Sequence, residues 1–362
     1  MANRDLAEKL MRIVGEANVL WDEYDLMVYE YDASIDRSLP EAIVFPTTAE
    51  QVAALVRLCN AEHIPYTPRG AGTGLSGGCI PADGGILVGF SKLNRIVEID
   101  LENLRAVVEP GVVNLHISNA VAKDGLYFVP DPSSQKASTI GGNVGENSGG
   151  PHTLIYGVTT NHVLGLEIAT PDGEIISTGG KAVDMPGYDL TGLFVGSEGT
   201  MGLVTSIIVK LTPSSEVAKT LLSIFRTVED ASNAVSAIIA SGVVPAALEM
   251  MDQMSVQAVE AATRAGYPTD AGAVLLIEVE GLAEGMDDTV AGITAICEQC
   301  GAREVRVART ERERKLLWAG RKGAFGAMGR MSPDFYVMDG VIPRSKLPEV
   351  LRRIAEVSER SG

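Results

Sequence analysis

Hydrophobic positions recur along this chain at two spacings, and the switches between them mark out its elements. Leu6, Leu10, Ile13 and Val14 share one face of a helical repeat, and residues 24–36 then form an irregular stretch rich in Tyr and Asp. Residues 42–45 are a short apolar run that reads as a strand. Thr47 or Thr48 can cap a helix over residues 50–62, whose apolar side is Val52, Leu55, Val56 and Leu58. Strand-like runs follow at residues 86–89, 96–100 and 106–109, and a helix at 114–124 stops at Gly125. Residues 163–169 and 174–177 read as a hairpin about Pro171, Asp172 and Gly173.

Beyond Pro213 the pattern changes. Strands at residues 220–225, 246–249, 273–279 and 303–308 are separated by helices at 229–241, 255–265 and 287–300. That order is compatible with a ferredoxin-like sheet carrying its helices on one face. A further helix starts at residues 311–319, and a Gly/Met-rich stretch follows from Gly320. A chain of 362 residues exceeds what one core usually organises. We therefore expect an α+β protein with an N-terminal helical segment (1–39), a glycine-rich domain (40–213) and a further domain (214–362).

The net charge of −17, with no dense run of Lys or Arg, argues against a nucleic-acid partner. Arg4, Asp5, Glu8, Lys9, Arg12 and Glu16 interrupt any apolar core of a signal peptide. No stretch reaches the roughly 18 uncharged apolar residues of a membrane span. The expected location is cytoplasmic, with membrane association only through a partner. Cys59, Cys79, Cys297 and Cys300 are too few and too uneven for a disulfide framework. Cys297 and Cys300 have redox spacing, but they close a helical pattern before Gly301, whereas redox pairs use a helix N-terminus.

The chemistry lies in three glycine clusters. The first runs from Pro68 and Arg69 through Gly70, Ala71, Gly72, Thr73, Gly74, Leu75 and Ser76 to Gly77 and Gly78. Glycines at alternating positions let the backbone bring successive N–H groups to an anion, and a pyrophosphate is the natural guest. Gly72, Gly74 and Gly77 also match the dinucleotide fingerprint, with Asp100 about twenty residues on. That fingerprint needs a strand before it and a helix opening within it. Pro65 and Pro68 break the preceding run and residues 79–85 form another turn, so a nicotinamide site is not expected. The second cluster, residues 139–150, follows a turn at residues 129–134, and the third spans residues 196–204. Rich in Ser, Thr and Asn donors, the three together favour one elongated anionic cofactor.

The strings PRGAGTGLSGG, PDPSS, TIGGNVGENSGG and GLFVGSEGTMGLVT resemble the FAD-binding domain of the vanillyl-alcohol oxidase/p-cresol methylhydroxylase superfamily. The resemblance is to its 2-hydroxy-acid dehydrogenase branch: glycolate oxidase FAD subunits, D-lactate and D-2-hydroxyglutarate dehydrogenases. The later string LLWAGRKGAFGAMGRMSPDFYVMDGVIP is most similar to the glycolate oxidase subunits, and the match covers nearly the whole chain.

The resemblance implies a two-subdomain FAD domain followed by a ferredoxin-like cap. In it, residues 69–78 hold the FAD pyrophosphate through the backbone. Pro130, Asp131, Ser133, Thr139, Gly142, Asn143 and Asn147 line the route to the isoalloxazine, with Gly199 and Val204 nearby. The first loop has no histidine to carry a flavin, which implies non-covalent FAD. Arg321 matches the cap arginine that grips the substrate carboxylate, a role suited to a planar guanidinium. Phe325 stands where relatives acting on larger diacids have threonine, and no lysine lies near Val337, which implies a small substrate such as glycolate or D-lactate.

Relatives also carry a histidine-rich segment that binds a divalent metal. This sequence ends at Gly362 without it, so the resemblance implies a C-terminally incomplete cap; none of His63, His116, His152 and His162 has a metal spacing. His152 follows the second cluster and reads as a polar loop histidine rather than a base. Electrons are expected to leave to a partner, in relatives an iron–sulfur subunit, since this chain lacks clustered cysteines of its own. The alternative is a catalytically silent FAD-binding subunit.

Overall fold

The N-terminal stripe becomes α1 (Arg4–Val14), which buries Leu6, Leu10 and Val14 completely or nearly so. Each such side chain is worth roughly 1.5–3 kcal/mol of apolar burial. The computed structural model describes residues 4–182, 187–332 and 334–361. They divide into two units, Met1–Gly150 with Gly157–Ser214 and Pro151–Tyr156 with Ser215–Gly362. Segment 1–39 is therefore not free-standing: α1 packs in one hydrophobic cluster with the first sheet and helix α3 below.

In the first unit, a four-stranded sheet has β1 (Val19–Leu20), β2 (Ala42–Val44), β3 (Tyr66–Arg69) and β4 (Ile86–Gly89) in the order β1-β2-β4-β3. Helix α2 (Glu23–Leu26) lies in the Tyr/Asp-rich stretch. Helix α3 (Ala49–Glu62) is capped by Thr48, whose side chain accepts from Gln51 N at 3.2 Å. A second, antiparallel sheet contains β5 (Ile96–Asp100), β6 (Arg105–Val108), β8 (Val163–Ala169), β9 (Ile175–Gly179) and β10 (Leu203–Lys210), with β7 (Leu126–Tyr127) paired separately to β11 (Thr212–Pro213). Its order is β5-β6-β10-β8-β9. Helices α4 (Asn114–Val121), α5 (Ile140–Glu146) and α7 (Leu190–Phe194) complete this unit, while α6 (Thr153–Tyr156) belongs to the other.

One expectation is corrected here. A strand does precede the first glycine loop, and Pro68 lies inside it. Proline is tolerated because β3 is the sheet's edge and its missing N–H costs no ladder bond. No helix opens after the loop: Ile80 N bonds Gly77 O and Gly84 N bonds Pro81 O in successive turns. The dinucleotide fingerprint fails on its helix alone.

The second unit is built on β12 (Val217–Phe225), β13 (Ala247–Asp252), β14 (Ala273–Gly281) and β15 (Glu304–Val307), antiparallel in the order β13-β14-β12-β15. Its helices are α8 (Val228–Ala240), α9 (Gln253–Thr263), α10 (Met286–Gln299), α11 (Glu311–Lys322), α12 (Ala324–Met328) and α13 (Leu347–Ser361). The helices cover both faces rather than one. Leu221, Phe225, Leu275 and Ile277 cluster with side chains of α8 and α10. Leu222, Ile224, Val274 and Leu276 cluster with side chains of α9 and α11. The central strands are apolar at both alternations, and such strands require cover on both sides.

Candidate functional site

In the first unit the three glycine clusters converge on α5. Thr139, its N-cap, is extended and makes no capping bond; its Oγ1 is buried without a partner. The first loop packs directly on this turn, since a Cβ at Gly70 would fall 2.5 Å from Thr139 Oγ1 and 3.6 Å from Gly142 Cα. The third cluster is stitched to the other end of α5: Gly196 N donates to Val144 O at 2.8 Å and Glu198 N to Gly145 O at 3.0 Å. Gly199 there adopts φ +77°, and a Cβ on it would lie 2.4 Å from Pro68 Cγ. Val204 is the second residue of β10, beside a register shift against β8.

Within the first loop, only Gly72 and Gly77 take positive φ. Among the described residues, nothing accepts from the backbone N–H groups of residues 70–76. Ala71, Leu75 and Ser76 are exposed, and Thr73 and Gly74 are half-buried. A row of unclaimed N–H donors beside an orphan buried hydroxyl fits an elongated phosphate-bearing cofactor.

Several expected residues hold this surface up through their side chains. The Arg69 guanidinium is buried: Nη2 donates to Tyr31 O at 2.7 Å, Nη1 to Tyr29 O at 3.3 Å and to Cys79 Sγ at 3.4 Å. Arg69 thus offers the loop its backbone, and Gly72 must be glycine because a Cβ would fall 2.3 Å from Arg69 Nη2. Burial pushes the Cys79 thiol up, against the opposing charge of Arg69. Asn143 is buried in α5; it accepts from Asn114 Nδ2 at 2.9 Å and donates to Ser148 Oγ at 3.2 Å. Asn114 Nδ2 also reaches Pro130 O at 2.9 Å. Asn147 ends α5 at φ +49° and its Oδ1 accepts from Thr160 N. Asp131 is buried under Gly150, where a Cβ would come within 2.6 Å of its backbone, and Ser133 is exposed.

Two expected results follow. Thr139→Val removes an orphan hydroxyl, so the cofactor-free protein should be as stable or slightly more so while its FAD dissociation constant rises about tenfold; thermal melts and FAD titration read the two signs separately. Gly199→Ala forces a side chain into left-handed backbone, costing roughly 1–2 kcal/mol before its contact with Pro68. A lowered Tm and a lower FAD-to-protein ratio after gel filtration are expected.

In the second unit the chemistry lies between α11 and the sheet face it covers. Arg314, Trp318 and Arg321 are spaced i, i+4 and i+7, and so lie on one side of the helix. Opposite them, β14 presents Glu278 and Glu280 at alternate positions and β13 presents Glu249, whose Cα partner is Leu276. Glu278 is a hub. Its Oε2 accepts from Thr220 Oγ1 at 2.5 Å, Trp318 Nε1 at 2.6 Å and Arg314 Nη1 at 3.1 Å. Its Oε1 is 3.3 Å from His152 Nε2. Burial alone would push this carboxyl up, but the bonds from His152, Thr220 and Trp318 and the charge of Arg314 outweigh it and hold the pKa at about 2. Glu280 accepts from the Tyr156 hydroxyl. Segment Pro151–Tyr156, expected as a loop of the glycine-rich domain, is thus bound into the second unit, with the His152 ring 6.1 Å from that of Trp318.

Arg321 sits half-buried with Nη2 2.5 Å from Glu249 Oε2, and its Nε is buried without a partner. Gly320 lets α11 approach closely: a Cβ there would lie 2.7 Å from Tyr267 Cε2 and 3.2 Å from Val259 Cγ1 of α9. Phe325 is exposed and meets Phe335 edge-on at 5.1 Å. Among the described residues no group of three or more His, Cys, Asp or Glu could hold a metal, and no helix is long and apolar enough to cross a membrane.

Comparison with known proteins fits both halves of this picture. Residues 40–179 match the FAD binding domain model and residues 214–362 match the C-terminal domain model of FAD linked oxidases. The chain is 47% identical over 343 residues to the glycolate oxidase subunit GlcD of Escherichia coli (strain K12), covering 94% of this chain and 69% of that protein. It is 42% identical to the Bacillus subtilis (strain 168) subunit of the same name, covering 99% and 77%, and 32% identical to a D-lactate dehydrogenase of Anaerostipes hadrus, covering 96% and 74%. In fold it is similar to alkyldihydroxyacetonephosphate synthase (TM-score 0.81, 18% identity, 99% of this chain and 76% of that one) and to p-cresol methylhydroxylase (0.74, 20%, 90% and 71%). The chain belongs to the family of FAD-linked oxidoreductases that includes the glycolate oxidase subunits.

The expected FAD-binding domain and α+β fold are therefore found. Sequence reading missed Asn114, Glu249 and Glu278. A signal for Glu278 was present, since a lone acid inside the apolar run of residues 273–279 must be paired if buried.

Proposed function

We propose that this protein oxidises a small monocarboxylic 2-hydroxy acid, glycolate or D-lactate, to the corresponding 2-oxo acid. The observation that carries the reading is Arg321, a cation at the end of α11 with an unpartnered buried Nε in the second unit of an FAD-linked oxidoreductase. Its guanidinium binds the substrate carboxylate and orients the C2 carbon; a planar fork does this better than an ammonium. Residues 70–76 and Thr139 hold the cofactor through N–H and O–H donors. When bound there, FAD supplies the two-electron acceptor. Its attachment is non-covalent, so acid precipitation should release all of it into the supernatant. We further infer that electrons pass to a partner subunit carrying an iron–sulfur centre and that the protein works in the cytoplasm, where its four cysteines stay free thiols.

The test is an anaerobic visible spectrum of the purified protein before and after glycolate, then D-lactate. Loss of the oxidised flavin bands with either acid supports the proposal; a flavin that stays oxidised with both, in the presence of its partner subunit, refutes it.

A further inference from the structure

Arg321 already has an anion beside it. Glu249 lies on β13, an edge strand, and its Oε2 is 2.5 Å from Arg321 Nη2, with the two side chains 19% and 30% exposed. The pairing does not exhaust the guanidinium, because Nε is buried and donates to nothing among the described residues. The other acids on this face are otherwise engaged. Glu278 is held by Arg314, Trp318, Thr220 and His152, and Glu280 by the Tyr156 hydroxyl. Glu249 is therefore the acid that any carboxylate approaching Arg321 must meet.

We propose that Glu249 is a specificity-determining residue: it remains beside Arg321 when an acid binds, and its fixed charge restricts the site to acids with a single carboxylate. The inference rests on Arg321 being the partner of the substrate carboxylate. The Arg321–Glu249 pair is neutral as a unit, so a monoanion brings the cluster to one negative charge and a dianion to two. Each carboxylate of the ligand is repelled by Glu249 across a partly buried, weakly screened space, and the repulsion grows with ligand charge. Selection against diacids thus includes an unfavourable element, beyond any missing favourable ones.

The experiment is calorimetric titration of the FAD-loaded protein with acetate, a monoanion, and oxalate, a dianion. Glu249→Gln should tighten oxalate about tenfold and acetate about threefold or less, while Glu249→Asp, which keeps the charge, leaves the ratio of the two affinities near that of the unchanged protein. If Glu249→Gln does not fold, Glu249→Thr, suited to an edge strand, carries the same expectation. An unchanged oxalate-to-acetate ratio in the charge-removing variant overturns the proposal. Arg321→Met separates the two levels: loss of both ligands upholds the carboxylate reading whatever Glu249 does, whereas undiminished binding of both overturns that reading and the inference together.

Discussion

Arg321→Met is expected to lower kcat/KM for glycolate by roughly a hundredfold to a thousandfold, mostly through KM, while FAD content stays that of the unchanged protein. Removing one member of a desolvated charge pair commonly costs about 2–5 kcal/mol, and here the lost partner would be the substrate carboxylate. The change also leaves Glu249 without its cation, which turns an adjacent attraction into a repulsion for any anion. Arg321→Lys should recover only part of the loss, because an ammonium is a point charge and cannot reproduce a planar two-donor grip. Steady-state kinetics with a flavin-to-protein ratio on the same samples checks both halves. A variant with normal KM would place the carboxylate elsewhere.

Glu278→Ala should produce the largest loss of stability, about 2–4 kcal/mol, because it strands the Trp318 indole N–H and the Thr220 hydroxyl and takes from Arg314 one of its two carboxylate partners, leaving it Glu311 alone. Chemical denaturation of the FAD-loaded protein measures it. The same hub predicts acid sensitivity. The Glu278 carboxyl titrates at about 2 in the folded protein against 4.5 for an unpaired glutamate. Its contribution is therefore complete above pH 4.5 and disappears as pH falls toward 2, a loss on the order of 3 kcal/mol. In Glu278→Gln this limb of the stability profile should flatten. An acid limb as steep as that of the unchanged protein would show that other carboxylates set it.

Much of this was legible in the sequence because local rules and tertiary need agreed. Thr48 before the apolar side of α3, and the strand-helix alternation after Pro213, fixed elements whose ends moved by only a few residues. The glycine loops were legible for the same reason: close approach of Gly70 to Thr139 and of Gly199 to Pro68 tolerates nothing larger. What stayed hidden depends on partners distant in sequence. Arg69 reads as part of a backbone cradle, and nothing local shows that its guanidinium is spent on the carbonyls of Tyr29 and Tyr31. Asn143 reads as a residue lining the cofactor route, and nothing local reveals that its Oδ1 accepts from Asn114, 29 residues away. His152 reads as a loop residue, and its pairing with Glu278, 126 residues on, together with the bond from Tyr156 to Glu280, binds its segment to the second unit. Pro68 misled in the other direction, because sequence does not reveal that its strand is an edge.

The central claim, that the chain couples a 2-hydroxy acid to its FAD, is tested most directly by titrating the yellow protein anaerobically with glycolate and assaying the product. We expect one flavin reduced for each glyoxylate formed, with Arg321→Met remaining oxidised at the same glycolate concentration. Full flavin occupancy with no reduction and no glyoxylate, even after the partner subunit is supplied, would contradict it.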